Sequence, residues 1–130
     1  MIRFINLAAV VILMGVISAF GQQQPIQEIK PVVTAGDLVF AAQLLNTVEL
    51  RGNEVEAFMN VKNAIKPFLE KVQNDKMQAS STLEMKISVT LANNFLAFLE
   101  RGKIAGADAE RYKRFVDAFV AAAKAASGQK

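Results

Sequence analysis

Histidine and cysteine, the side chains that most readily move protons or attack carbon near neutral pH, are both absent from this chain of 130 residues. Their absence removes Ser-His and Cys-His nucleophiles, thiolate chemistry, and nearly every zinc or haem arrangement. It also removes the Glu-x-x-His pairs of di-iron carboxylate bundles. A serine with a lysine base is the remaining nucleophilic option. Lys86 and Ser88 lie two positions apart, a spacing that turns them away from each other on a helix. Ser81 reads better as a helix cap. The paired acids Glu54/Glu56 and Asp108/Glu110 each sit where a helix is expected to start, and there they complement the positive end of its dipole. Nothing in their spacing resembles a calcium loop or a glycosidase pair. The expectation is a protein that is not an enzyme, with no catalytic residue, no metal and no cofactor.

The binding candidates are equally plain. Arg111, Lys113 and Arg114 could form an anionic-ligand face, but they spread around a helix beside Glu110 and Asp117 and read as a solvated surface. The Phe95/Phe98 and Phe115/Phe119 pairs could line an apolar pocket; at helical spacing they read first as core. Asn94 falls beside an apolar stripe, where a buried hydrogen bond would fix helix register, whereas Asn93 points to water.

The elements that must position these residues begin with an address. Arg3 is followed by an uncharged apolar stretch to Phe20, then Ala19-Phe20-Gly21 and a polar Gln22-Gln23-Gln24-Pro25 segment. This is the order of a secretory signal peptide over residues 1–21, with cleavage after Gly21. The competing reading is a retained anchor, because residues 4–21 form 18 uncharged positions at the lower limit of spanning length. With cleavage no stable membrane span remains, and the protein is exported, periplasmic or secreted. The formal charge falls from +3 to +2, since Arg3 is the leader's only charged residue. The remaining charges are interspersed, so nucleic acid is not expected as a partner. Without a disulfide, stability must come from packing, to which Phe40, Phe58, Phe68, Phe95, Phe98, Phe115 and Phe119 can contribute.

Residues 22–33, with Pro25 and Pro31, read as an extended N-terminal arm. Residues 34–126 read as one helical domain, and 127–130 as a frayed C-terminus. Thr34 caps helix A (35–51), which Gly52 stops as a left-handed residue after Arg51. Asn53 and Glu56 open helix B (54–74) as a capping box, with a kink at Pro67. Ser81 and Glu84 open helix C (82–101), which Gly102 ends after Arg101. Asp108 caps helix D. Leu83, Met85, Ile87, Val89 and Leu91 alternate with polar residues, a period-two pattern that also suits a strand. The helix is preferred because the nearest candidate partner, Pro31-Val32-Val33-Thr34, is short and led by proline, and a lone strand leaves its backbone unpaired.

The expected fold class is therefore all-α, a small four-helix bundle or two stacked helical hairpins. The expected function is protein–protein contact, as an adaptor, inhibitor or chaperone-like subunit, with a protein partner or self-association. The alternative is a carrier of a lipid or other apolar ligand in a phenylalanine-lined bundle.

Overall fold

The computed structural model describes residues 27–128. The proposed leader, residues 1–21, lies outside the described residues. The chain is mostly helical and carries a small β component. Among the described residues, four helices, α1 (Ala35–Leu45), α2 (Val55–Asn74), α3 (Val89–Glu100) and α4 (Ala109–Ala126), follow or flank four short strands. The strands are β1 (Glu28–Ile29), β2 (Val32–Thr34), β3 (Thr82–Glu84) and β4 (Ile87–Ser88).

β1 pairs antiparallel with β4, and β2 with β3, in one common register: Glu28 opposes Ser88, and Thr34 opposes Thr82. The two pairs are halves of one ribbon. Its break falls at Pro31, which has no N–H to return the bond that its carbonyl accepts from Met85 at 2.8 Å. The ribbon extends at both ends, where Val89 N–H donates to Gln27 O and Ala35 N–H to Ser81 O. Ile29, Pro31, Val33, Leu83, Met85 and Ile87 are buried on one face, while Lys30, Val32, Glu84 and Lys86 are exposed on the other.

This overturns the first part of the helix expected over 82–101, as far as Ser88. The alternation from Leu83 to Ile87 is a true strand signal, and its missing partner is the proline-led segment fifty residues earlier. The helix starts only at Val89, where the Ser88 hydroxyl accepts from Leu91 N–H at 3.2 Å. Ser81 and Glu84 form no capping box. Of the segment read as an arm, the described residues 27–33 are extended, but they are built into the domain, with Ile29 and Val33 each 4% exposed.

Thr34 caps α1 as its sequence suggests, its Oγ1 accepting from Asp37 N–H at 3.1 Å. The helix ends at Leu45, short of Arg51. Thr47 explains the early stop: its hydroxyl and N–H both donate to Leu44 O, at 2.7 and 3.0 Å, and pull the backbone into a turn. Gly52 therefore stops nothing. It opens a 3-10 turn, Gly52–Glu54, whose entry is fixed by Arg51 N–H donating to Glu54 Oε1 at 2.8 Å. This bond replaces the expected Asn53/Glu56 box.

α2 runs unbroken through Pro67 and buries Phe58, Val61 and Ile65. Its end is a Schellman closure: Met77 N–H donates to Val72 O at 3.0 Å and Lys76 N–H to Gln73 O at 3.2 Å. Lys76 occupies the left-handed position, with φ 50°. α3 ends at Glu100 and Gly102 follows it, as expected, but Gly102 is not left-handed; Gly128 is the one glycine with positive φ among the described residues. Gly102 is required for space. A Cβ there would stand 2.5 Å from Leu44 Cδ1 and 2.6 Å from Leu44 Cγ.

The core lies between the ribbon's apolar face and the helices. α4 packs on α1, β1 and β2, and α3 packs on α2 and β4. Phe95, Phe115 and Phe119 meet one another with centroids 4.9 to 5.7 Å apart, and Phe58 meets Phe98 edge-on at 5.3 Å. Phe58, Phe95, Phe98, Phe115 and Phe119 are buried, in keeping with the packing role expected of them; Ile65 is buried beside them, whereas Leu91, the last apolar residue of the alternation, is only half-buried. No helix among the described residues is long and apolar enough to cross a membrane.

Candidate binding groove

The residues singled out in the sequence for chemistry are dispersed by the fold. Ser88 is committed to its cap. Lys86 stands on the exposed ribbon face, 3.7 Å from Glu28. Glu54 is gripped by Arg101, whose guanidinium donates to both carboxylate oxygens at 2.7 and 3.1 Å and to Glu49 O. These bonds, led by that from Arg101 and followed by that from Arg51 N–H, hold the Glu54 carboxyl below the usual carboxylate range. Asp108 and Glu110 lie at the start of α4, and Asp108 makes no side-chain capping bond.

Of the three cations singled out on α4, Arg111 and Arg114 turn together toward Asp37 while Lys113 turns away, so the three form no common face. Arg114 donates twice to Asp37, at 2.7 and 2.8 Å, and Arg111 stands 3.9 Å from the same carboxylate with its guanidinium 5.6 Å from the Phe40 ring centre. Lys113 pairs with Asp117 one turn away at 2.7 Å. The Asp37 partnership raises the Arg114 pKa further above its already high ordinary value, chiefly through the side-chain hydrogen bonds. Asp37 itself is 2% exposed, the one buried charged residue among those described. It joins α1 to α4 across the molecule. Position 37 falls in the first turn of the helix expected after Thr34, and the signal for this bond is that Asp37 shares one helical stripe with Ala41, Leu44 and Leu45.

Among the described residues, a largely apolar groove of about 310 Å³ lies between α3 and α4, floored at one end by β1. α3 contributes Val89, Ala92, Asn93 and Leu96, which recur at helical spacing, and α4 contributes Phe119, Val120, Ala123 and Lys124, with Ser127 just past its end. Ile29, Ala92 and Phe119 are buried and form its floor; Val120 is 42% exposed. The small side chains Ala92 and Ala123 leave the gap between the helices unfilled. Polar groups stand only at the rim: Asn93, Lys124, and Ser127, whose hydroxyl donates to Lys124 O at 2.9 Å. Lys124 is the single charged group in the lining.

Asn93 thus lies beside the groove and exposed, while Asn94 is half-buried in a second depression between α2 and α3, with Glu54 and Arg101. Of the phenylalanines, Phe119 alone reaches the α3/α4 groove. Such a site can hold an apolar stripe carrying one acidic group opposite Lys124. It brings no acid–base pair together. Comparison of the chain with known protein families, with curated proteins and with solved structures finds no match in any of the three.

Proposed function

We propose that this chain is an exported, non-enzymatic helical domain that works by contact with another protein. The observation that carries the reading is the α3/α4 groove, with its apolar floor, the exposed Val120 and a single cation, Lys124, at the rim. A partner segment of matching chemistry presents an amphipathic stripe with an acid beside it, as in helix-in-groove recognition. Export rests on the order of Arg3, the apolar stretch and Ala19-Phe20-Gly21; the mature protein should begin at Gln22 by mass spectrometry, and intact Met1 in a membrane fraction would replace this with the anchor.

The test places a photo-crosslinking residue at Val120 and irradiates cells that make the protein. A discrete polypeptide adduct, weakened by Lys124→Glu, supports the reading. A lipid adduct in its place favours the apolar-ligand carrier, in the groove rather than among the phenylalanine rings. Turnover of a substrate that collapses on changing one Ser, Lys or Glu would sink both.

A further inference from the structure

The outer strand of the ribbon carries Thr82-Leu83-Glu84-Met85-Lys86-Ile87-Ser88, a sequence that reads the same in chemical type from either end, with acid exchanged for base about Met85. We infer that this edge pairs antiparallel with the same edge of a second copy, Met85 against Met85. The inference goes beyond the groove and does not depend on it.

Three observations lead there. The bonds at Gln27, Pro31 and Ala35 show that odd-numbered residues turn their backbone groups into the ribbon. In an antiparallel pair the alternate residues then turn theirs outward, so Thr82, Glu84 and Lys86 present a row of N–H and C=O groups at the open side. Among the described residues no backbone hydrogen bond occupies the N–H or C=O of Lys86. Further, α4 supports β1 and β2, while β3 packs chiefly on β2 and forms the margin of the sheet.

The charges supply the choice of partner. In the observed register Lys30 directly opposes Lys86 on the exposed face, and Val32 opposes Glu84. One row of the ribbon therefore carries two like charges side by side, an unfavourable arrangement. The 3.7 Å contact from Lys86 to Glu28 is diagonal and exposed, and it leaves Lys30 unrelieved. Pairing about Met85 sets Glu84 of the second copy beside Lys86, and Lys86 of the second copy beside Glu84. Each doubly basic row thereby gains an acid, twice over by symmetry. The apolar undersides meet in phase, Leu83 beside Ile87, and Thr82 lies beside Ser88. A one-residue slip would put apolar side chains on the charged face, and a two-residue slip would set Glu84 against Glu84 or Lys86 against Lys86, so the sequence favours this register. An open strand edge is ordinarily protected by charges that repel a neighbour; here their order attracts an identical one.

The experiment is sedimentation equilibrium of the purified protein, as its host processes it, from micromolar to millimolar concentration. Wild type should show a reversible monomer–dimer equilibrium. Glu84→Lys alone, or Lys86→Glu alone, should weaken it by about tenfold or more, since each change converts both symmetric pairs to repulsion. An equimolar mixture of the two variants should recover the dimer, because every opposed pair again joins unlike charges. The double exchange Glu84→Lys/Lys86→Glu should recover it within one chain. Recovery in the mixture also shows that both variants are folded. A wild type that stays monomeric throughout would overturn the inference and leave the groove reading intact. A dimer indifferent to both reversals would overturn it too, and move self-association elsewhere.

Discussion

The two Arg-Gly pairs look alike in the sequence, yet alanine should have opposite effects at Gly52 and Gly102. Nothing lies within 4 Å of a Cβ built on Gly52, and its backbone is not left-handed. Gly52→Ala therefore mainly restricts the unfolded chain and should stabilise by about 0.4–1 kcal/mol. At Gly102 the new methyl would sit 2.5 and 2.6 Å from two Leu44 carbons and 3.3 Å from the Leu44 carbonyl oxygen, where carbon contacts want about 3.5–4.0 Å. Leu44 is 3% exposed and has no solvent to swing into. Opening about 1 Å at both carbons is overpacking, with a cost of about 1–3 kcal/mol. Leu44→Ala alone should cost about 2–5 kcal/mol through the hole it leaves. Adding Gly102→Ala to that background leaves only the 3.3 Å approach to the Leu44 carbonyl oxygen, because the two obstructing side-chain carbons are gone and the methyl enters the hole. The double variant should thus be no less stable than Leu44→Ala, a coupling of about 1–3 kcal/mol. Urea unfolding followed by circular dichroism at constant m-value measures all four terms. A neutral Gly102→Ala, or costs that simply add, would show that the α1–α3 contact yields more easily than its geometry implies.

Lys76→Gly should stabilise by about 1 kcal/mol by relieving a left-handed non-glycine residue at the end of α2, read by the same unfolding assay. Phe95→Ala, which removes the ring shared by Phe115 and Phe119, should cost about 3–5 kcal/mol, whereas Leu91→Ala, half-buried, should cost clearly less in the same assay. The lowered Glu54 pKa means that its contribution to stability is complete above the ordinary carboxylate range and is lost as pH falls through the depressed value. Glu54→Gln should accordingly flatten the acid limb of the stability–pH curve, and a limb unchanged by this substitution would show that the Arg101 grip contributes nothing measurable.

Local signals were readable where a helix and its cap are close in sequence. Thr34 announced α1, Phe58 and Ile65 at helical spacing announced α2, with Val61 between them unremarked, and Phe115 with Phe119 announced the buried face of α4. What could not be read locally was pairing at a distance. The alternation from Leu83 to Ile87 competes with a helical reading of the same residues, and only the segment around Pro31 decides between them. Gly102 shows a related ambiguity: a glycine after a helix signals left-handed backbone or lack of room, and only Leu44, fifty-eight positions away, tells which. Asp37 was more legible than its first reading allowed, since an acid on an apolar stripe requires a partner. The groove was not legible, because apolar stripes on α3 and α4 are evident in the sequence, but the part of each left uncovered depends on assembly.

The ribbon also governs when this chain can fold. Its first strand is synthesised early, yet Glu28 must wait for Ser88, sixty positions later, and Asp37 waits for Arg114, seventy-seven positions on. Such distant closures slow the search for the native state relative to a bundle of locally paired helices. They also remove any stopping place along the way, because β1, β2 and the buried end of α1 lack their supports until α4 exists. A growing chain halted before α4 should remain soft to proteases from β1 to β4, and α4 should decide the fate of α1.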